Sequence, residues 1–275
     1  MKNLEIHNSH QNEYNAVFGI AAKNRHFDFL RAPGLNYDPS TNSNSNSNPN
    51  SNRSSVSSPT LDTKGVPDSS NSVASEESRS WSELSSALGF TKVVRRKQVH
   101  GIDIAVVDEH SSVYDGVADA LITTHKDVLL AVTVADCCGI VLWHERVPLC
   151  ACIHSGWRGT EQNIVAHVLT RMSALVSDEP SHFHAWLSPC ASGRSYVVRR
   201  DVQQLFPAFC VEVSDGVYLF DNSAAIKAQL TECGLLPERI QVSQTCTIED
   251  HRYHSFRRDG NSSGRNAVFV GMKSR

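Results

Sequence analysis

The chain has 275 residues, a formal net charge of −3 and hydrophobic residues at 40% of positions. That length suits one large domain or two small ones, and the near-neutral balance excludes a broad basic field for nucleic acid or anionic membrane. No apolar run reaches the roughly 18 residues of a membrane-spanning helix, and the polar first residues lack a signal-peptide core, so a soluble, cytoplasmic protein is expected.

Residues 1–36 are expected to be an N-terminal ordered segment of the main domain, with short ordered stretches at 16–21 and 27–30. Residues 37–80 read as a disordered Ser/Asn-rich insertion. The tract from Asn42 to Asn52 alternates Asn and Ser around Pro49 and has nothing apolar to offset the entropy of ordering. Residues 81–275 form the expected catalytic domain. A short helix is predicted over 81–88, stopped at Gly89. Strands follow at 102–107, 128–134, 140–143 and 149–153, short apolar runs that suit buried strands.

From Thr160 the period changes. Ile164, Val165, Val168, Leu169, Met172 and Val176 recur at three-to-four spacing, which predicts a long helix with Thr160 as its N-cap. Further helices are predicted at 201–206, ahead of Pro207, and at 223–233, ahead of Gly234. Late strands are predicted at 239–242 and 267–270. Strands grouped in the middle of the chain point to an α+β layered domain rather than a regular βαβ repeat.

Three ligand-type residues stand at predicted strand edges: His100, Cys137 and His154. Two imidazoles and a thiolate suit zinc in softness and charge, and three protein ligands leave a fourth position open for chemistry. No local CxxC or HExxH spacing ties them together. By spacing alone each histidine also reads as an ordinary hydrogen-bonded residue, and Cys137, like the other cysteines of the eight, as a small core hydrophobe. A third reading makes Cys137 a nucleophile activated by a histidine, with Asp136 orienting the ring.

Five segments in one order carry a resemblance: Gln98-Val99-His100-Gly101; Ala135-Asp136-Cys137; His154-Ser155-Gly156-Trp157-Arg158-Gly159; Cys246-Thr247; and Ser255-Phe256-Arg257-Arg258-Asp259-Gly260 with Gly264-Arg265. Over residues 91–271 the chain resembles the YfiH family, also called laccase-domain or purine nucleoside phosphorylase-type proteins. The resemblance implies a layered αββα sandwich of mixed sheets and zinc held by His100, Cys137 and His154. It also implies phosphorolysis of adenosine, inosine and methylthioadenosine with deamination of adenosine, so that purine nucleosides and phosphate are the expected partners. The family also carries a laccase label, with copper and polyphenol oxidation, and a link in bacteria to editing of cell-wall precursors.

Copper oxidation calls for clustered histidines and an axial Met. The chain has three methionines, none near the triad in sequence, which ranks copper below zinc. Arg158, in a glycine-flanked turn before a helix, is the expected catalytic and phosphate-binding cation, its plain alternative being packing on Trp157. Asp136 is the expected acid or base, or the carboxylate behind a ligand histidine, with the second role favoured. Arg258 is the expected substrate contact, its plain alternative a salt-bridged turn. From outside the enzymes comes a non-catalytic zinc-binding interaction protein; three ligands instead of four favour catalysis over it. The chain departs from the family pattern at Gly139, where Pro is usual, and at Val197, where Glu is usual.

Overall fold

The computed structural model describes residues 4–8, 14–22 and 69–274. Strands β1 (Leu4–Asn8) and β2 (Tyr14–Ala21) pair antiparallel, and helix α1 (Ser69–Leu88) follows. Next come β3 (Lys92–Lys97), β4 (Ile104–Val107), β5 (Tyr114–Val117), β6 (Ala120–Thr123), β7 (Val128–Val134), β8 (Cys138–His144) and β9 (Cys150–Ser155). Helices α2 (Trp157–Glu161) and α3 (Ile164–Val176) lead to β10 (Phe183–Leu187), β11 (Val197–Arg199) and α4 (Arg200–Leu205). The chain ends with β12 (Cys210–Ser214), β13 (Val217–Phe220), α5 (Asn222–Glu232), β14 (Ile240–Val242), α6 (Phe256–Asp259) and β15 (Asn266–Ser274).

Two six-stranded mixed sheets carry the fold, ordered β1-β2-β15-β7-β3-β5 and β14-β10-β8-β9-β6-β4. Apolar side chains from both sheets fill the space between them, among them Phe18, Leu130 and Val268 facing Val141, Cys152 and Trp186. On the outer face of the first sheet α1 lays down Trp81, Leu84 and Leu88 against Val93, Leu129 and Phe269. On the outer face of the second, α3 and α5 cover Ile140, Leu142 and Ile153 with Val168, Met172, Ile226 and Leu230. The order of layers is helix, sheet, sheet, helix, the α+β sandwich expected from the sequence. A small sheet, β11-β13-β12, packs one face on α4 through Val198, Val202, Tyr218 and Phe220.

Several sequence expectations change. Helix α1 reaches back to Ser69, so residues 69–80 are helical where disorder was expected. Ala74, Glu76 and Glu77 are strong helix formers, and a helix anchored at its C-terminal end by Trp81, Leu84 and Leu88 propagates backward at little cost per residue. Residues 37–68 of that stretch, and the ordered run expected at 27–30, lie outside the described residues. The long helix from Thr160 is two helices, because Asn163 takes a left-handed conformation (φ 55°) between α2 and α3. Thr160 therefore caps nothing. It is buried inside α2 and its hydroxyl donates to the Asn222 side chain at 2.8 Å. Among the described residues no helix is long and apolar enough to cross a membrane, and all eight cysteines are free thiols.

Candidate metal centre

Strand register brings the second and third predicted ligands together. In the β8–β9 hairpin Cys138 faces Ser155, so Cys137, just before β8, falls beside Gly156. His154 lies near the end of β9, where Ala120 of β6 faces Ile153, and its backbone N–H donates to the Asp119 carbonyl at 2.7 Å. The first ligand arrives from the other sheet. After β3 the chain turns through 98–101, and the Gln98 side chain acts as an extra strand residue. Its Oε1 accepts from the Thr133 N–H at 2.7 Å and its Nε2 donates to the Thr133 carbonyl at 2.8 Å. That pair fixes the turn to β7, with His100 left-handed at φ 61°.

The ligand atoms of His100, Cys137 and His154 all lie within 4.8 Å of one another. Cys137 Sγ is 3.8 Å from His100 Nε2, and the two imidazoles meet edge to face. His154 is buried; His100 and Cys137 are partly exposed, so the corner is reachable from solvent. Gly156 explains itself here. A Cβ at that position would stand 2.9 Å from Cys137 Sγ and 3.2 Å from His100 Cδ2, so only glycine leaves room for the donors.

Burial pushes the Cys137 thiol up, but the neighbouring His154 and His100 outweigh it and bring it down to about 6. Burial pushes His154 down, and the Cys137 thiolate and Asp119 carboxylate raise it to about 9. The donors thus favour thiolate beside imidazolium. A metal cation held by these three residues would take the place of the imidazolium proton as the partner of the thiolate, and the donor set fits zinc.

The remaining sequence candidates are placed unevenly. Asp136 takes a left-handed conformation (φ 83°) next to Cys137, but its carboxylate does not hold a histidine. Oδ1 accepts from the Thr247 hydroxyl at 2.7 Å and Oδ2 from the Arg257 N–H at 2.6 Å, which ties the 135–137 turn to α6. The role favoured for Asp136 belongs to Asp119, whose Oδ1 lies 2.8 Å from His154 Nδ1. Burial raises the Asp119 carboxyl, and the bonds from His154, Gly101 and Val99 more than offset that, leaving it below its ordinary value.

Arg158 stacks on the Trp157 ring with its guanidinium carbon 4.3 Å from the centroid, and among the described residues its N–H groups make no hydrogen bond. Arg258 is the opposite case. Its five N–H donors go to the Asp259 carboxylate and to the carbonyls of Thr247, Ile248 and Tyr253. No donor is left for a substrate, so the expected substrate contact is a loop brace. Two other groups are coupled to the thiol by charge. Burial lowers the Arg265 pKa while the charges of Cys137 and Asp136 oppose that shift, and burial raises the Tyr196 phenol with Cys137 adding to it.

A family model described as multi-copper polyphenol oxidoreductase laccase matches residues 52–273. The chain belongs to that laccase-domain family. Among its relatives a purine nucleoside phosphorylase of Corynebacterium glutamicum is 34% identical over 215 residues, covering 74% of this chain and 83% of the relative. The solved structure of YlmD from Geobacillus stearothermophilus superposes with a TM-score of 0.67 at 26% identity, over 73% of this chain and 81% of that one. YfiH of Bacillus licheniformis gives 0.68 at 21% identity, over 72% and 82%. The laccase-domain fold is therefore shared in outline with both.

A second side-chain cluster meets the same distance test. His144, Asp178 and His182 also offer ligand atoms within 4.8 Å of one another. There His144 Nδ1 accepts from the N–H groups of Arg146 and Val147, so its Nε2 carries the proton and donates to Asp178 Oδ2 at 3.0 Å. The Arg146 guanidinium already occupies the cation position, 2.8 Å from Asp178 and 2.7 Å from His182. A separate cleft of about 470 Å³, lined by Arg194, Phe209, Leu219 and Lys227 among others, shares no residue with the His/Cys/His corner.

Proposed function

We propose that the chain is a zinc-dependent purine nucleoside phosphorylase acting on adenosine, inosine and methylthioadenosine, with adenosine deaminase activity at the same site. One observation carries the reading: two imidazoles and a low-pKa thiol converge on one solvent-reachable point. Three protein donors with a fourth position free is the pattern of a catalytic zinc rather than a structural one. The phosphorylase name of the Corynebacterium glutamicum relative supports the substrate class. Copper fits the donor set less well, because copper oxidation calls for clustered histidines and a methionine donor, and Met172 and Met272 are buried members of the apolar cores.

His100, Cys137 and His154 would hold the ion. Zinc supplies Lewis acidity there and makes water nucleophilic near neutral pH, which is the chemistry deamination of a purine needs. The chain's own residues handle the rest. Arg158, braced on Trp157 with its donors uncommitted, binds phosphate for attack on the ribose carbon while the bond to the base breaks. Asp136, held by Thr247 and the Arg257 N–H beside Cys137, is the acid–base group that takes a proton from the attacking phosphate or water and returns it to the departing base or amine. Arg265 and Tyr196 couple electrostatically to Cys137 and are further candidates for substrate contact.

The test is a product assay on metal-loaded protein given adenosine with and without phosphate. Adenine forming only with phosphate supports phosphorolysis, and inosine forming without it supports deamination. No turnover by protein carrying one zinc per chain overturns the reading. Arg158→Gln should raise the half-saturating phosphate concentration about ten- to a hundredfold, the loss of a charge-assisted bond, and leave phosphate-free deamination unchanged. The low thiol pKa gives a second reading some support, a cysteine hydrolase acting on cell-wall precursors. It predicts metal-independent acyl transfer to Cys137, which mass spectrometry detects as an adduct on that residue.

A further inference from the structure

We propose that Asp119 is a positioning residue that sets two donors of the corner at once, His154 through its ring and His100 through its backbone. The inference rests on the reading of the corner as a metal site. Asp119 is fully buried just ahead of β6, and its carboxylate accepts four hydrogen bonds, two at each oxygen. Oδ1 takes the His100 N–H at 3.0 Å and His154 Nδ1 at 2.8 Å. Oδ2 takes the N–H groups of Val99 at 3.1 Å and Gly101 at 2.8 Å. A carboxylate has about four acceptor sites, and here all of them are filled by donors.

Two consequences follow from that saturation. A carboxylate filled with N–H donors only accepts, so Nδ1 of His154 keeps its proton and Nε2, facing Cys137 and His100, is the nitrogen a metal would take. Three successive N–H groups converging on the same carboxylate form an anion nest, which holds His100 in its left-handed conformation. The 98–101 turn belongs to the end of β3 in the first sheet and His154 to β9 in the second. One buried carboxylate therefore links ligands supplied by different sheets.

Asp119→Asn separates this role from mere filling of space. The amide keeps the shape but turns one edge into a donor. With its NH2 toward the turn, it opposes the Val99 and Gly101 N–H groups and releases His100. Turned the other way, it opposes the His100 N–H and donates to His154 Nδ1, moving the ring proton to Nε2. Either orientation disables one imidazole and leaves Cys137 untouched.

Cobalt(II) titration of the metal-free full chain reads this without any turnover. Wild type should bind one cobalt per chain, with a thiolate charge-transfer band and the d–d bands of a nitrogen–sulfur site. Asp119→Asn should keep the charge-transfer band, lose or shift the d–d bands, and bind about ten- to a hundredfold more weakly. Asp119→Asn protein with wild-type affinity and spectrum overturns the inference alone. Wild type that binds no cobalt overturns the metal reading and this inference with it. Should the variant not fold, nitrogen-15 spectra of zinc-loaded wild type decide: a slowly exchanging His154 Nδ1–H supports the assignment, and metal on Nδ1 overturns it.

Discussion

The corner of His100, Cys137 and His154 and the cluster of His144, Asp178 and His182 look alike by distance, since each gathers its ligand-type atoms within 4.8 Å. Each also contains a carboxylate saturated with hydrogen bonds. The difference is where that carboxylate stands. Asp119 lies behind the corner, engages His154 at Nδ1 and leaves the opposite nitrogen facing Cys137. Asp178 lies in the middle of its cluster, bonded to His144, His182, Arg146 and the Glu179 N–H. The second nitrogen of His144 is taken as well, by backbone donors. Proximity of ligand-type residues therefore says little about metal binding. Donor atoms facing a common point, with no guanidinium already seated among them, say much more.

The largest effect separates the two directly. Cys137→Ala and His154→Ala should each abolish stoichiometric zinc, measured as metal per chain on purified protein, whereas His144→Ala should retain it. Arg146→Ala empties the cation position of the cluster, and it should still bind no second metal, because His144 has no free nitrogen. A second equivalent of zinc in that variant would break the comparison.

Gly156→Ala comes next. The new methyl must displace the Cys137 sulfur or the His100 ring, so zinc affinity should fall at least about tenfold, with a stability cost of about 1–3 kcal/mol from overpacking. Competition with a chromophoric chelator measures the first and denaturant unfolding the second. Wild-type affinity in that variant would show that the donors sit elsewhere.

The cluster should answer in stability rather than in metal. His144→Ala should cost about 1–3 kcal/mol, because it empties the space of a buried ring and leaves the part-buried Arg146 and Val147 N–H groups without their acceptor. Its pH signature is smaller and has a definite sign. Burial lowers the His144 pKa, with Asp178 opposing, so the unfolded chain takes up the proton first as pH falls past about 6.5. The neutral ring therefore contributes stability above that pH and loses it on acidification. Asp178, held low by the Glu179 N–H and by both histidines, adds a further loss below about pH 4. Thermal melting followed from about pH 7.5 downward, through the ordinary histidine value, should decline less steeply between about 7 and 5.5 in His144→Gln than in wild type. Equal slopes would remove His144 from the account.

Much of the sandwich was legible in the chain because its central strands are unbroken apolar runs. Residues 128–134 were read as a strand with the bounds that β7 has, and β8, β9, α4 and α5 fell within two residues of their expected ends. Strand β3 was missed because Lys92, Arg95, Arg96 and Lys97 surround only two buried valines. The β11-β13-β12 sheet was missed because its strands are short and one face is exposed. The break at Asn163 is invisible to apolar periodicity, since a single left-handed residue shifts the next helix without removing its apolar stripe.

The three candidate ligands could be named from motifs, but their neighbours could not. Asp119 had one faint signal, a lone acid inside the apolar run Val117-Ala118-Asp119-Ala120-Leu121, where an unpaired charge is too costly to stand. Arg258 misled for the reverse reason. Its motif marks it, but the motif records a loop that needs bracing, and only the carbonyls around it reveal that.

Gln98 leaves a mechanical consequence. By hydrogen bonding to both backbone groups of Thr133 it fixes His100 to the first sheet, while His154 rides on the second and Cys137 sits where the chain crosses between them. Neighbouring residues along a strand are about 3.3 Å apart, comparable to the spacing of the donors themselves. A slip of one sheet against the other by a single residue would thus take a ligand out of reach. The corner works as an alignment gauge for the whole sandwich, able to close on an ion only when both sheets are correctly seated.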